Sequence, residues 1–427
     1  MIELIPIVGI ISFVLYYKIN KNIDLFSGVL VLSYFFFATN YSNFGFDLDF
    51  DIYRVAHKTI GLLVALKLFV IIFKQKINPF KQTYSILFFG FLVAILLSYI
   101  GNDLYIEYYL HYLRNFLFSS ILALYLFHAN EGSKEKFNSL LSLIVIFATI
   151  LSIFALINLS LEQEWSRAKL HFSNPNYLAY AIAIGFGITI SKNWKYKYLL
   201  AGLLLFAIFY SGSRSVLIAA FVVLLIELFF NKRNIFWVLS LSTIVLILII
   251  SIFNLSYQKI FINSHVNSTR IALTHIGMNM FDSHPLNGIG YGQFRKQFFK
   301  YMDEDIQMSN LDYELEQARE QIIEAKKSGV KLEKLKGEYT EIMTHNDFLK
   351  VVSELGIFGT MVVLTFFIQT LKTFISHRET LLEKNRVSLY LFLLNIIFSL
   401  FHNNITTFFF WFSMILPILL INIEKKK

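Results

Sequence analysis

Cysteine is absent from the chain. That excludes disulfides, a thiolate nucleophile and Cys-ligated zinc, and it leaves the compartment open because a membrane bundle needs no covalent staple. Proline occurs only 5 times in 427 residues, and charged residues make up only 16%. In their place, 56% of residues are hydrophobic and Phe alone occurs 46 times, with a mean hydropathy of +0.58. A soluble core of this length does not need so much apolar material, so the composition predicts an all-α polytopic membrane helix bundle. The net charge of +9 does not point to nucleic acid as a partner. Lys and Arg are scattered as short punctuation between apolar runs instead of clustering on one soluble domain.

Apolar runs of spanning or near-spanning length fall at roughly 2–17, 25–39, 59–73, 83–100, 105–128, 138–160, 176–191, 196–211, 215–230, 235–254, 349–375, 387–401 and 405–423, or about 12 to 13 spans. The run at 2–17 lacks the basic leader and small-residue cleavage site of a secretory signal and is expected to be retained. These runs divide the chain into an N-terminal transmembrane bundle (1–254), an external loop (255–345) and C-terminal transmembrane helices (346–427).

Charge sets the expected orientation. Lys18 and Lys21, Lys74 to Lys81, Lys134 and Lys136, Lys192 to Lys197, Lys232 and Arg233, Lys372 to Arg386 and the terminal lysines all fall on one side of the spans. That side is expected to be cytoplasmic, together with the C-terminus. The opposite face then carries 41–57, 162–175, the tight junction 211–215 and the long segment 255–344. Arg214, Arg270 and His345 share it.

The outer segments differ in what they offer. Phe46 to Asp51 reads FDLDFD, three carboxylates at alternate positions that could hold a divalent cation or form a solvated acidic loop. Glu107, His111 and Arg114 recur at helical spacing on one face of a span, either as a substrate wall or as a structural ion pair. Asn174-Pro175-Asn176 is a natural helix entry. Arg214 lies in YSGSRSVL between two apolar runs, suited to anchoring at the headgroups or to gripping a diphosphate bidentately.

Farther on, 267–281 reads as an amphipathic helix with Asn267 or Ser268 as its cap and Arg270 in its first turn. The following HPLNGIGYGQF alternates Gly288, Gly290 and Gly292. No strand precedes it, so it predicts a tight turn against the membrane and not a dinucleotide site. Residues 303–341 are soluble and charged, with apolar positions at nearly helical spacing, and predict an external helical hairpin. At Met343 to Thr360, MTHNDFLKVVSELGIFGT, a polar loop enters a membrane helix, with Asn346 or Asp347 able to cap it.

Taken together, Asn174-Pro175-Asn176, Ser213-Arg214, Arg270 ahead of HPLNGIGYGQF, and His345-Asn346 followed by Gly356 and Gly359 resemble the bacterial O-antigen ligase and O-antigen polymerase superfamily, over roughly 173–360. The resemblance implies a GT-C-like, inverting, metal-independent membrane glycosyltransferase that needs no cofactor and works on the periplasmic face of the inner membrane. It would move glycan from undecaprenyl diphosphate to a glycan or lipid A core acceptor. Arg214 and Arg270 correspond to the family's diphosphate-binding arginines and His345 to its essential histidine, with Asn346, Asn176, Gly288 and Gly290 in support.

The residue types suit that chemistry. Two guanidinium forks can stabilise a departing diphosphate, and a neutral imidazole can take the proton of an attacking hydroxyl. The resemblance does not choose between members; the sequence leans modestly to a ligase, with a repeat-unit polymerase as the alternative. A flippase for lipid-linked sugars would keep cations along a central cavity, whereas here the intramembrane charges are few.

Overall fold

The structure, a computed structural model, describes residues 4–36, 51–75, 83–102, 104–161, 170, 172, 174–230, 264–302, 320, 323–324, 327–328, 344, 346–405 and 407–425. Among the described residues there is no strand, and the chain is an all-α multi-pass membrane bundle. The helices are α1 (Leu4–Ile19), α2 (Leu25–Phe36), α3 (Asp51–Gln75), α4 (Thr83–Leu97), α5 (Ile106–Asn130), α6 (Lys134–Leu161), α7 (Pro175–Ser191), α8 (Lys197–Tyr210), α9 (Arg214–Phe230), α10 (Ser264–Ser283), α11 (Phe294–Tyr301), α12 (Asp347–Ser376), α13 (Val387–Ser399) and α14 (Phe408–Lys425). A short π-helical turn, Glu379–Lys384, joins α12 to α13. The run at 235–254, residues 46–50 of FDLDFD with Asp47 and Asp49, and nearly all of the segment 303–341 lie outside the described residues, while Asp51 is the first residue of α3.

The spans meet their environment as a lipid-solvated bundle must. On α12, Met361, Leu364, Ile368, Leu371 and Ile375 are exposed at intervals of three and four residues, and Leu62, Leu66, Phe69 and Phe73 do the same on α3. Such one-sided apolar stripes are lipid-facing surface in a helix whose backbone is satisfied internally. Helices α5, α6, α12 and α14 are each long and apolar enough to cross a bilayer, while α1, α2, α4, α8 and α13 are apolar but shorter.

The centre of the bundle is α7, buried continuously from Leu178 to Ile190. It packs on α6, α8, α9 and α13. Its glycines make this possible: a β-carbon on Gly185 would lie 2.2 Å from that of Ala148 on α6, and one on Gly187 would lie 2.9 Å from Leu394 on α13. Small residues are what let membrane helices approach this closely. A second core forms around Trp411 of α14, whose indole meets Phe88, Phe91, Phe116 and Phe366 from three other helices at ring separations of 5.0 to 5.5 Å.

Two helix starts follow their sequence signals. Asn174 caps α7, its side-chain oxygen accepting from Asn176 N–H at 2.8 Å with Pro175 in the first turn. Asn346 caps α12, accepting from Phe348 N–H at 2.8 Å and Leu349 N–H at 3.2 Å. A third start differs from expectation. Helix α10 begins at Ser264, so Asn267 and Ser268 are interior and Arg270 falls in the second turn instead of the first. The mixed polar stretch before Asn267 has no breaker to stop the helix extending backward.

Candidate active site at one mouth of the bundle

The mouth is built on a broken helix. Within α12, Gly356 has φ +60° and ψ −153°, which interrupts the backbone ladder one-third of the way along the span. A broken span leaves donors and acceptors with no intrahelical partner, and in lipid each must be satisfied by protein. The glycine turn 285–290 does this reciprocally. Ile289 N–H and Gly290 N–H donate to the carbonyls of Ser353 and Glu354 at 3.0 and 3.1 Å, while Ile357 N–H and Phe358 N–H donate to those of Pro285 and Leu286 at 2.8 and 3.2 Å.

Gly288 and Gly290 therefore have a backbone role. Both have positive φ, +67° and +107°, and both are buried. A β-carbon on Gly288 would sit 2.3 Å from the backbone of Glu354. The turn is fixed from its other side too, by Asn102 Nδ2 to Gly288 O at 2.8 Å, Asn287 Nδ2 to Ile100 O at 2.7 Å and Tyr291 N–H to Ser98 Oγ at 3.1 Å.

Charge is buried directly beneath. Glu354 accepts from Gly292 N–H at 2.9 Å and Phe294 N–H at 3.1 Å, the start of α11. A carboxylate on these first-turn donors complements the helix dipole. One turn toward the mouth, Lys350 is buried with Nζ 3.9 Å from the centre of the Tyr112 ring and 5.5 Å from that of Tyr291. Asp347, also buried, accepts from the N–H groups of Asn404 and Ile405 at 2.7 and 2.9 Å. Burial and the Glu354 charge together push the Tyr291 hydroxyl well above its ordinary pKa, so this ring faces Lys350 in the neutral form.

The two arginines come together at the same mouth. Arg214 opens α9 after a tight turn in which Gly212 has φ +67° and Ser213 N–H donates to Ser211 Oγ at 3.2 Å. Arg270 reaches the mouth from α10, its guanidinium carbon 5.7 Å from the centre of the Phe401 ring. Burial lowers the pKa of Arg270 first, and the positive charge of Arg214 lowers it further. The loop after α13 links the two positions, with Phe401 under Arg270 and His402 bonded to Ser215 beside Arg214.

Other expected residues fare differently. Arg114 Nη2 hydrogen-bonds His111 Nδ1 at 2.9 Å and Asn115 Nδ2 hydrogen-bonds His111 Nε2 at 3.0 Å. That is a local relay along one helix, and Glu107 is exposed apart from it. Asn346 uses its side-chain oxygen on the α12 cap, and Asn176 lies in the first turn of α7. His345 lies outside the described residues.

Sequence reasoning missed the loop between α13 and α14. Phe401 lies under Arg270, His402 Nε2 is 2.9 Å from Ser215 Oγ, and Asn403 Oδ1 accepts from Thr344 Oγ1 at 2.8 Å. Asn404 extends into a buried network with Tyr180 and Asn395. The signal was there: His402-Asn403-Asn404 is a polar triplet inside an otherwise apolar stretch, and polar side chains at such depth are costly unless they find partners. Likewise, Asp347, Lys350 and Glu354 fall three and four residues apart on one face of a span.

The fold and the mouth define a class, a multi-pass helical membrane protein with two arginines converging beside a broken span. Residues 199–364 match the family model described as O-antigen ligase. That stretch contains Arg214, Arg270, the glycine turn and the break in α12, so the match covers the mouth and supports the resemblance to the O-antigen ligase and O-antigen polymerase superfamily. No curated protein matches the chain.

Proposed function

We propose that this protein is a membrane glycosyltransferase that moves glycan from undecaprenyl diphosphate to a sugar hydroxyl at the periplasmic face of the bacterial inner membrane, as an O-antigen ligase does. The observation that carries the reading is that one loop touches both arginine positions, Phe401 under the Arg270 guanidinium and His402 bonded to Ser215 beside Arg214. Two guanidinium groups held close in a partly buried mouth repel each other, and an anion with two phosphates relieves that repulsion while using both planar forks.

In the reaction, the anomeric carbon loses its bond to the diphosphate oxygen as the acceptor hydroxyl attacks from the opposite side, which inverts the configuration. The arginines take up the charge developing on the departing diphosphate, and no metal ion is needed for that role. His345, assigned through the family resemblance, takes the acceptor's proton. Residues 255–345 form the periplasmic segment between the two transmembrane parts, 1–254 and 346–427, and the C-terminus is cytoplasmic.

The test is turnover and lipid-donor affinity of purified variants. Arg214→Lys keeps charge but loses the fork and should bind donor poorly, whereas a headgroup anchor would accept Lys. His345→Ala should lose turnover by a factor of about 10² to 10⁴ with donor binding retained. Wild-type behaviour of Arg214→Lys would overturn the diphosphate assignment. The glycan profile of a deletion strain reads the acceptor: polymer left on its carrier means a ligase, and a single repeat on the core means a polymerase.

A further inference from the structure

The loop 400–405 lies outside the stretch that matches the family model, yet it touches α7, α9, α10 and α12 at the mouth. Its backbone is anchored from below, where the Asn404 and Ile405 N–H groups donate to Asp347. Tyr177 donates to Asn403 O at 3.1 Å, joining the loop to the entry of α7. On that base, Phe401 presents its ring to the Arg270 guanidinium and His402 meets Ser215, the residue after Arg214. The His402 ring is itself held, 4.6 Å from that of Phe398, which stacks on Tyr180 at 4.3 Å and 7°.

We propose that Phe401 and His402 are positioning residues for the arginine pair: the α13–α14 loop sets the separation and direction of the Arg214 and Arg270 forks before donor binds. This rests on the diphosphate reading above. The physical need is specific. Arg214 and Arg270 stand on α9 and α10, and the two cations repel, so an arrangement matched to a diphosphate must be held by something other than their mutual attraction. A buried imidazole bonded to Ser215 fixes the first turn of α9, and an aromatic face under Arg270 restrains its guanidinium by cation–π attraction. Preorganisation of this kind raises affinity by removing the ordering that donor would otherwise have to impose.

The experiment measures kcat and KM for the lipid donor, with thermal stability, in purified full-length variants. Ser215→Ala removes the bond without touching the loop, and His402→Phe removes it while keeping a ring on Phe398. Each should raise donor KM about tenfold with kcat changed less than about twofold, the size of one buried hydrogen bond. The double variant should be no worse than either single, because both delete the same contact. Phe401→Leu should raise donor KM as well, and His402→Gln should recover part of the loss. Unchanged KM in Ser215→Ala and His402→Phe, or losses in kcat and KM that simply track melting temperature, would overturn the inference. If Arg214→Lys and Arg270→Lys lose donor binding while the loop variants do not, only the positioning role fails. If the arginine variants bind donor like wild type, the diphosphate reading falls and this inference with it.

Discussion

Gly288 and Gly356 meet backbone to backbone: a β-carbon on Gly356 would lie 2.7 Å from Gly288 N, and one on Gly288 would lie 2.4 Å from Leu355 N. Both residues also have positive φ, +67° and +60°. The break in a membrane span and the turn that fills it therefore form one unit, and neither half has its backbone satisfied without the other.

Gly288→Ala and Gly356→Ala should each destabilise the protein by at least about 2 kcal/mol, from left-handed strain together with overpacking against backbone that cannot yield. The double variant should cost less than the sum, since one displacement relieves both clashes. Thermal unfolding in detergent reads both numbers. Gly101→Ala is the control: it has φ +77° but nothing within 4 Å of the added carbon, so it should show the strain alone.

Glu354→Gln should cost about 1.5 to 3 kcal/mol, because it replaces a carboxylate that accepts two backbone N–H bonds with an amide that turns a donor toward one of them. It also strips Lys350 of a compensating charge, and a buried charge left alone is costly. Lys350→Met should therefore be less harmful in the Glu354→Gln background than in wild type. A double-mutant cycle on melting temperature measures that coupling.

Arg270→Met should raise the melting temperature of the donor-free protein slightly, since it removes a cation disfavoured by burial and by the positive charge of Arg214. It should also abolish stabilisation by added inorganic pyrophosphate, which wild type should show through ordinary ligand linkage. A pyrophosphate shift that persists in Arg270→Met would mean that the anion binds elsewhere.

Sidedness can be read in this cysteine-free chain. Thr274→Cys, on the exposed face of α10, should react with an impermeant thiol reagent in intact spheroplasts, while Lys384→Cys, in the exposed π-helical turn, should react only after lysis. The opposite pattern would invert the proposed orientation.

Much was legible in the chain itself. Apolar run length determined that it is an all-helical multi-pass bundle, because spans in lipid must satisfy their own backbone. The local signals of Asn174-Pro175 and Asn346 marked two helix starts, since capping needs only neighbouring residues. Alternating glycines at 288, 290 and 292 marked a tight turn for the same local reason. Charge and resemblance already assigned Arg214 and Arg270 to one site, but which distant groups hold the mouth together was not legible. That the glycine turn pairs with the break in α12, that Glu354 caps α11, and that His402 bonds Ser215 beside Arg214 depend on contacts across 60 to 187 positions. Those were decided only by tertiary structure, because hydrogen bonds and like-charge repulsion act through distances that chain order does not encode.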